Sequence, residues 1–424
     1  MNLHADNKYN AISEVQLRQF PYPYRAMLAI CSDLDETSNG RVYWEIMRFL
    51  NTTDETSMGE GVGLEVGNSI YFYETPDQFS YWNADDKDRE MVKLLIKSGH
   101  IDCLHSYGEL AKSRANTQKA LEELIRSNCK IEVWVDHGRA LSNFGKDIMG
   151  GHGDEADHEV YHADLTRDYG IKYVWRGRVT SVLGQDIPAN FYEIFNWKHP
   201  VVSGRTVLKE VVKQKLAKSG HEKYLLHGTN ETLQKTFLRD GQPMYEFLRC
   251  NPHWGGVSSC DQGRCIGEVL TTKTLNGLID KGGSCIFYTH LGKVDSLNVP
   301  FNEMAVGAFR QLAKFFRDGK ILVTTTRRLL GYRRAMSEVK YEYSADDKGL
   351  QIDINTKDVQ NFLGEIPQAD LCGLSFYVLD PSKTRVSING KSVENLVHNA
   401  PDHTGRSSVS LAWSFLEFPA GYKY

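Results

Sequence analysis

The sequence predicts an α/β protein: a distorted (β/α) barrel of seven or eight strands, followed by a small C-terminal all-β, sandwich-like domain. Short apolar runs alternate with amphipathic helical patterns between about residues 24 and 330, which indicates parallel strands joined by helices. About 300 residues suit a single barrel. Neither GxGxxG nor GxxxxGK[ST] follows any of the apolar runs, which disfavours a nucleotide-binding doubly wound sheet.

The predicted elements of the barrel follow one another with short connections. Apolar runs typical of buried strands cover residues 24–32, 61–72, 100–104, 130–135, 172–175, 284–289 and 321–325. Helical spacing covers residues 41–51, 85–98, 113–127, 158–168, 265–281 and 302–317. We therefore assign residues 1–21 to an N-terminal extension and 22–335 to the barrel. An insertion around 180–260 has elements that are harder to predict, apart from a short strand over 223–226.

The pattern changes near residue 336. Strand-like runs at 339–343, 350–354, 374–379, 384–388 and 407–415 are separated by turn signals such as Asp346 to Gly349 and Asn389-Gly390. We predict a β-sandwich-like accessory domain over residues 336–424. It would either cap the barrel or bind a glycan.

Composition narrows the classes of partner. The net charge is −4 with 25% charged residues and no long run of one sign, so we expect no nucleic-acid partner. No apolar stretch approaches the roughly 20 residues of a membrane span, and the first 20 residues resemble no signal peptide. We therefore expect a cytoplasmic protein without a membrane partner, and leave a homo-oligomer open. Its scattered cysteines fit a reducing compartment, although Cys260 and Cys265 could form a disulfide or a metal clip.

Acids, imidazoles and guanidinium groups follow many of the predicted strands. Because the carboxyl ends of barrel strands meet at one face, we expect these side chains to converge there. A mixed histidine and carboxylate set suits Zn²⁺ or another divalent first-row metal. The residues at these strand ends are Asp33, Asp35, His105, Asp136, His137, Arg176, Arg249, His253 and His290.

Three stretches resemble motifs of the NodB-type polysaccharide deacetylases, carbohydrate esterase family 4. The acidic pair of Asp33-Leu34-Asp35 is similar to the first motif, Gly99 to Glu109 resembles the second, and the strand ending in His290 resembles the last. The resemblance covers about residues 22–330. It departs from the family where Glu109 occupies the position of the second histidine, and where Trp134 to Gly138 stands in place of the Arg-Pro motif.

The resemblance implies a metal site and an acid–base pair. Asp35 and His105 would bind the metal, joined by either Glu109 or His137. Glu109 comes four residues after His105, one helical turn, so both could face one ion; as an acid at a helix start it would instead be structural. The metal would polarise the acyl carbonyl and its bound water. Asp33 would be the general base and His290 the general acid.

The missing third motif leaves stabilisation of the transition state to another cation. Arg176, Arg178 or Arg249 could supply this charge. Aromatic side chains that could stack on a sugar ring, or simply pack at the barrel rim, are Trp254, Trp175 and Tyr107.

The function that follows is deacetylation of an N-acetylated sugar or glycan by a metal-dependent hydrolase. Two alternatives stay open. The first is a glycoside hydrolase of the same superfamily, for which Asp33 and Asp136 could be the two carboxylates. The second is a glycan-binding protein that has lost its catalytic motifs.

Overall fold

The computed structural model describes residues 15–357, 362–419 and 422. The chain forms two compact units. The larger comprises residues 26–330 and the described part of 415–424; the smaller comprises the described parts of 1–25 and 331–414. Within the described residues, no helix is both long enough and apolar enough to cross a bilayer.

Short strands and helices alternate along the larger unit. Its strands are β2 (Ala26–Ser32), β3 (Glu55–Thr56), β4 (Gly59–Glu60), β5 (Asn68–Ile70), β6 (Ile101–Leu104), β7 (Val133–Val135), β8 (Tyr173–Trp175), β9 (Val179–Thr180), β10 (Leu233–Phe237), β11 (Pro243–Phe247), β12 (Arg249–Cys250), β13 (Ser284–Thr289) and β14 (Ile321–Val323). Its helices are α1 (Gly40–Asn51), α2 (Asp86–Lys97), α3 (Arg114–Arg126), α4 (Ala163–Tyr169), α5 (Pro200–Lys218), α6 (Leu225–Thr229), α7 (Thr272–Lys281) and α8 (Glu303–Arg317), while α9 (Thr326–Glu338) begins in this unit.

Two sheets position the strand ends of the larger unit. One has the strand order β10-β11-β8-β7-β6-β5, in which every pair is parallel except β10 with β11. The other has the order β14-β2-β13-β12-β9 and is parallel throughout. The predicted α/β fold with parallel strands is thereby confirmed. No closed barrel is detected among the described strands, and closure stays a prediction.

Burial and capping explain why these segments form strands and helices. All seven residues of β2 are buried, as expected for a strand covered on both faces. Helices α1, α2 and α3 begin after Asn39, Asp85 and Ser113, whose side chains accept hydrogen bonds from the first turn.

The segment 180–260 belongs to the sheets and not to a detached insertion. Its hairpin β10–β11 extends the first sheet, and β12 pairs with β9 and β13 in the second. Helix α5 also lies within this segment. A strand expected at 223–226 is wrong, since a 3₁₀ turn over Glu222–Tyr224 leads directly into α6.

The described residues of the smaller unit form two four-stranded sheets. Their strands are β1 (Gln16–Leu17), β15 (Lys340–Asp346), β16 (Gly349–Asn355), β17 (Ser375–Tyr377), β18 (Thr384–Ile388), β19 (Lys391–Ser392), β20 (Leu396–Asn399) and β21 (Ser408–Leu411). The strand orders are β1-β17-β21-β20 and β15-β16-β18-β19.

Both predicted turns of the smaller unit close hairpins. Asp346 pairs with Gly349, and Ile388 pairs with Lys391. Asn389 and Gly390 have φ values of 50° and 80°, the left-handed conformations that a two-residue hairpin turn requires.

The termini do not follow the predicted domain bounds. Most of the predicted extension 1–21, residues 1–14, lies outside the described residues. The following strand β1 pairs with β17 in the smaller unit. At the other end, the described part of 415–424 groups with the larger unit.

Candidate active site

Four strands deliver the central side chains of the site, β2 and β13 from one sheet and β6 and β7 from the other. Asp33 and Asp35 follow β2, His105 follows β6, His137 comes two residues after β7, and His290 follows β13. The side chains of Asp33, His105 and His290 are at most 8% exposed, whereas that of Asp35 is 25% exposed. Asp35 therefore lies where the site opens to solvent.

Asp35, His105 and His137 form a compact group, which we call the triad. His105 Nε2 lies 3.1 Å from Asp35 Oδ2 and 3.0 Å from His137 Nδ1. His137 Nδ1 in turn lies 3.1 Å from Asp35 Oδ1. Two imidazole nitrogens and the carboxylate of Asp35, from three separate strand ends, thus face one another at short distances, and this group could hold a metal ion.

The donor set of the triad fits a divalent transition metal. Two imidazole nitrogens and one carboxylate oxygen make up the three protein ligands that a catalytic Zn²⁺ uses while it keeps one position open. Ligands bound at about 2.1 Å in a tetrahedron lie about 3.4 Å apart. The two imidazole nitrogens lie 3.0 Å apart, and each lies 3.1 Å from a different oxygen of Asp35, within a few tenths of an ångström of this value.

The electrostatics of the triad favour a cation. Burial opposes the charged form of His137, but its hydrogen bond to Asp35 and the charge of that carboxylate raise the pKa of His137 above its usual value. Burial also opposes the charge on Asp35, yet His105 and His137 hold its pKa well below the usual range. Metal ligands must be deprotonated, so an ion bound here would take the place of a proton.

Arg249 clamps Asp33 beside the triad. Its two terminal nitrogens donate to Asp33 Oδ1 and Oδ2 at 2.6 and 2.9 Å, a bidentate pair. The guanidinium carbon lies 3.4 Å from the ring centroid of Trp175 and 4.5 Å from that of Tyr288. Although burial alone would raise it, the pKa of Asp33 is lowered, mainly by the charge of Arg249. Asp33 is therefore ionised at neutral pH.

His290 is held by the loop that follows Cys260. Its Nδ1 lies 2.8 Å from the backbone carbonyl of Asp261. A carbonyl only accepts, so Nδ1 carries the proton, and Nε2 faces Asp35 Oδ2 at 3.6 Å and Asp33 Oδ2 at 3.9 Å. The loop is closed by a disulfide between Cys260 and Cys265, one of the two uses that the sequence left open.

Glu74 is a residue of the site that the sequence analysis missed. Its Oε2 lies 3.5 Å from His137 Nε2, on the opposite side of the ring from the triad. The same oxygen accepts the backbone N–H of Glu109 at 2.9 Å. A carboxylate in this position orients a metal-binding imidazole. Glu74 lies in a loop after β5 without any periodic pattern, so the sequence held no signal for it.

Glu109 does not join the triad, which corrects one of the two choices for a third ligand. The helical turn expected between His105 and Glu109 is absent, because α3 begins only at Arg114. The exposed Glu109 instead groups with Glu74 and His137. His137 is thus the residue that the structure brings to Asp35 and His105.

The two arginines after β8 do not contact the triad. Arg176 donates to Glu246 and Thr236, and Arg178 pairs with Glu246 and Asp147. Arg249 is fully buried against Asp33, so its guanidinium positions that carboxylate and is not a substrate-binding group.

The predicted stacking faces have different surroundings. Tyr107 is fully buried and its hydroxyl hydrogen-bonds Thr166 at 2.8 Å, so a sugar-stacking role for Tyr107 is wrong. Trp175 is covered by Arg249. Trp254 is half-buried, stacks on His199 with centroids 4.0 Å apart, and lines a cavity of about 610 Å³.

The side chain of Asp136 holds the local fold together. It is completely buried, and its oxygens accept hydrogen bonds from Trp134 Nε1 and from the backbone of Phe144 and Gly145 at 2.7–2.9 Å. Burial raises the pKa of Asp136 to about 6. A carboxylate held in this way is not placed to act on a glycosidic bond, so nothing in its surroundings favours the glycosidase alternative.

Comparison of the chain with protein-family models, with curated proteins and with solved structures finds no match in any of the three.

Proposed function

We propose that the protein is a metal-dependent hydrolase that removes the acyl group from an N-acetylated sugar or glycan. The observation that carries the proposal is the triad of Asp35, His105 and His137 beside a clamped Asp33 and an oriented His290. The residues proposed as metal ligands, base and acid lie within one buried cluster that opens to solvent at Asp35, which supports the proposal. The acyl-amide substrate rests on the resemblance of the strand-end motifs to NodB-type deacetylases.

The triad would hold the metal ion. A divalent ion such as Zn²⁺ bound there supplies a Lewis acid for the acyl oxygen and lowers the pKa of a water molecule. Asp35 contributes the anionic oxygen, and the two histidines contribute neutral nitrogens. The side chain of Asp35, exposed to 25%, keeps one side of the group accessible to a substrate.

Asp33 would accept the proton of the attacking water. Arg249 occupies one lone pair on each carboxylate oxygen, and each oxygen keeps a second for a proton. The clamp fixes the carboxylate plane, and the lowered pKa keeps the carboxylate ionised. A positioned base of this kind contributes on the order of 10²- to 10⁴-fold in rate.

His290 would deliver the proton to the leaving amine. Its Nδ1–H donates a hydrogen bond to the carbonyl of Asp261, so Nε2 is the nitrogen available for proton transfer. Nε2 lies on the same side as Asp33 and Asp35, at 3.9 and 3.6 Å from their Oδ2 atoms.

Metal content is the first test. The purified protein is analysed by elemental mass spectrometry beside His105→Ala and a matched control, His100→Ala. His100 is buried like His105 but lies at the opposite end of the same strand, against Phe418. We expect about one divalent transition metal per chain in the wild type and the control, and a loss in His105→Ala.

Acetate release from N-acetyl sugars is the second test. Metal-loaded protein should release acetate, and Asp33→Asn should reduce turnover by at least about 10²-fold while the metal stays bound. Metal without acetate release would overturn the substrate assignment. Absence of metal in the wild type, with none taken up on addition, would overturn the hydrolase and favour a glycan-binding protein.

A further inference from the structure

Helix α5 has the reverse of the usual distribution of apolar residues. Its buried positions carry small or polar side chains, Ser203, Thr206, Glu210 and Ala217, of which Glu210 accepts a hydrogen bond from Thr180. The opposite face carries large apolar side chains in solvent: Val201 is 76%, Leu208 63% and Val212 43% exposed. At 100° per residue these three lie within about 40° of one another and form a single stripe.

Basic residues flank this stripe. The exposed Arg205 and Lys209 lie on one side of it and Lys215 on the other. The only acid of α5, Glu210, is buried and paired with Lys213 at 2.7 Å. The solvent face of the helix is therefore positive, although the chain as a whole carries a net charge of −4.

Two exposed aromatic residues precede the helix. Tyr192 is 90% and Trp197 86% exposed. The N-cap residue of α5, His199, stacks on Trp254, which comes four residues after β12. The aromatic end of α5 thus lies beside the carboxyl end of a sheet strand, the edge at which the candidate active site is built.

We propose that α5, with Tyr192 and Trp197, binds the surface of an anionic lipid bilayer. Exposed apolar side chains beside lysine and arginine, with tryptophan and tyrosine at one end, are the groups that a membrane interface can accept together. Valine and leucine would enter the acyl boundary, tryptophan and tyrosine would occupy the headgroup level, and the cations would contact lipid phosphates. The expectation of no membrane partner rested on the lack of a spanning segment, which peripheral binding does not need.

The positive charge of the solvent face of α5 favours an anionic bilayer over a second copy of the chain. In a symmetric dimer through α5, the same positive face would meet itself, and like charges would oppose association. Nucleic acid would satisfy the cations but would leave Val201 and Leu208 against phosphates, where apolar burial gains little. A lipid surface satisfies both the charged and the apolar side chains.

Vesicle binding tests the proposal on the full chain. The protein is mixed with 100 nm vesicles of phosphatidylcholine, with or without phosphatidylglycerol, and bound protein is measured by flotation. We expect binding to the anionic vesicles that weakens at least about tenfold when the salt concentration is raised. Tryptophan emission should shift to shorter wavelength on binding, and Trp197→Phe should remove most of that shift.

Two sets of variants separate the apolar and the charged contributions. Val201→Ser/Leu208→Ser/Val212→Ser should reduce vesicle affinity at least about tenfold, whereas Ile125→Ser, an equally exposed apolar site on α3, should not. Each basic residue near an anionic surface contributes about fivefold in affinity, so Arg205→Gln/Lys209→Gln should lose about 25-fold. Lys348→Gln/Lys391→Gln, in the smaller unit, is the matched control for charge.

Three outcomes would overturn the proposal. One is the absence of binding to anionic vesicles. Another is binding that is equal for neutral and anionic vesicles or unaffected by both α5 variants. The third is a dimer in sedimentation velocity that dissociates in the triple serine variant, which would assign the stripe to a second copy. None of these measurements depends on the metal site.

Discussion

Replacement of Arg249 by methionine tests the organisation of the site most directly. The substitution keeps an unbranched side chain between Trp175 and Tyr288 but removes both hydrogen bonds to Asp33. Asp33 is 3% exposed, so it would be left as a buried carboxylate without its cation. We expect Arg249→Met to destabilise the larger unit more than any surface substitution.

The magnitude follows from the burial of both partners. Removing one member of a buried ion pair costs about 3–5 kcal/mol, because the remaining charge stays desolvated. For a unit of this size, each kcal/mol lowers the melting temperature by about 2 °C, so a shift of about 6–10 °C is expected. Asp33→Asn/Arg249→Met removes both charges and should recover a large part of this loss.

The sign of the pH dependence provides a further check. In the wild type the pKa of Asp33 is lowered, so its stabilising contribution is present above the unfolded value of about 4 and is lost as pH falls below it. In Arg249→Met the main cause of that lowering is gone and burial raises the pKa of Asp33. The deficit in melting temperature should therefore shrink as the pH is lowered from 8 to 5.

Differential scanning fluorimetry at several pH values measures these effects. The proteins compared are the wild type, Asp33→Asn, Arg249→Met and the double variant. The reasoning would be refuted if Arg249→Met had the melting temperature of the wild type, or if the double variant were no more stable than Arg249→Met. The control Arg126→Met changes an arginine whose side chain is 78% exposed, and it should shift the melting temperature by less than about 2 °C.

Three further predictions concern other parts of the larger unit. Glu74→Gln should weaken metal binding about 10- to 100-fold, because it weakens the contact that orients His137. Competition with a chelator measures this affinity. An unchanged metal affinity would show that Glu74 does not support the site. His290→Ala should lower turnover of an N-acetyl sugar by about 10²- to 10⁴-fold with metal content unchanged, and full turnover would exclude His290 as the acid. Burial raises the pKa of Asp102 to about 7, so the stability of the wild type should fall as pH rises from about 4 through 7. In Asp102→Asn the melting temperature should change less between pH 5 and 8 than in the wild type. If both proteins showed the same pH dependence, the raised pKa of Asp102 would be contradicted.

The sequence predicts the strand-end residues well, for a physical reason. A buried strand appears as a short apolar run, and the first polar residue after that run marks its carboxyl end. Asp33, His105 and His290 are all found in this way. Parallel pairing brings the ends of β2 and β13 to one edge of their sheet and the ends of β6 and β7 to one edge of the other. That the two edges meet was expected from a barrel, whose strand ends share one face.

The partners of these residues could not be predicted in the same way. Glu74 and Asp261 lie in loops, where no periodicity indicates which group faces inward. Three arginines were equal candidates for a catalytic charge, and only their packing separates Arg249, which pairs with Asp33, from the two that pair with Glu246. Glu109 was paired with His105 by assuming a helical turn between them, whereas α3 begins only at Arg114.

The outward apolar stripe of α5 shows another limit of periodicity. An apolar stripe at helical spacing normally marks the core face of a helix. In α5 the polar groups Glu210 and Thr206 are turned inward, where Thr180 and Lys213 satisfy Glu210, and the stripe is left in solvent. Only the three-dimensional pairing of that buried acid reveals the reversal.

The ion pair with Arg249 has two opposite effects on Asp33 as a proposed base. Arg249 keeps the carboxylate ionised and fixes its orientation, but a carboxylate with a lowered pKa is also a weaker base. Such a base is effective only if the proton that it accepts is already acidic, which is what coordination of water to a metal in the triad would supply. In the proposed mechanism Asp33 and a metal in the triad would therefore depend on each other. Loss of the metal should consequently reduce turnover at least as much as loss of Asp33.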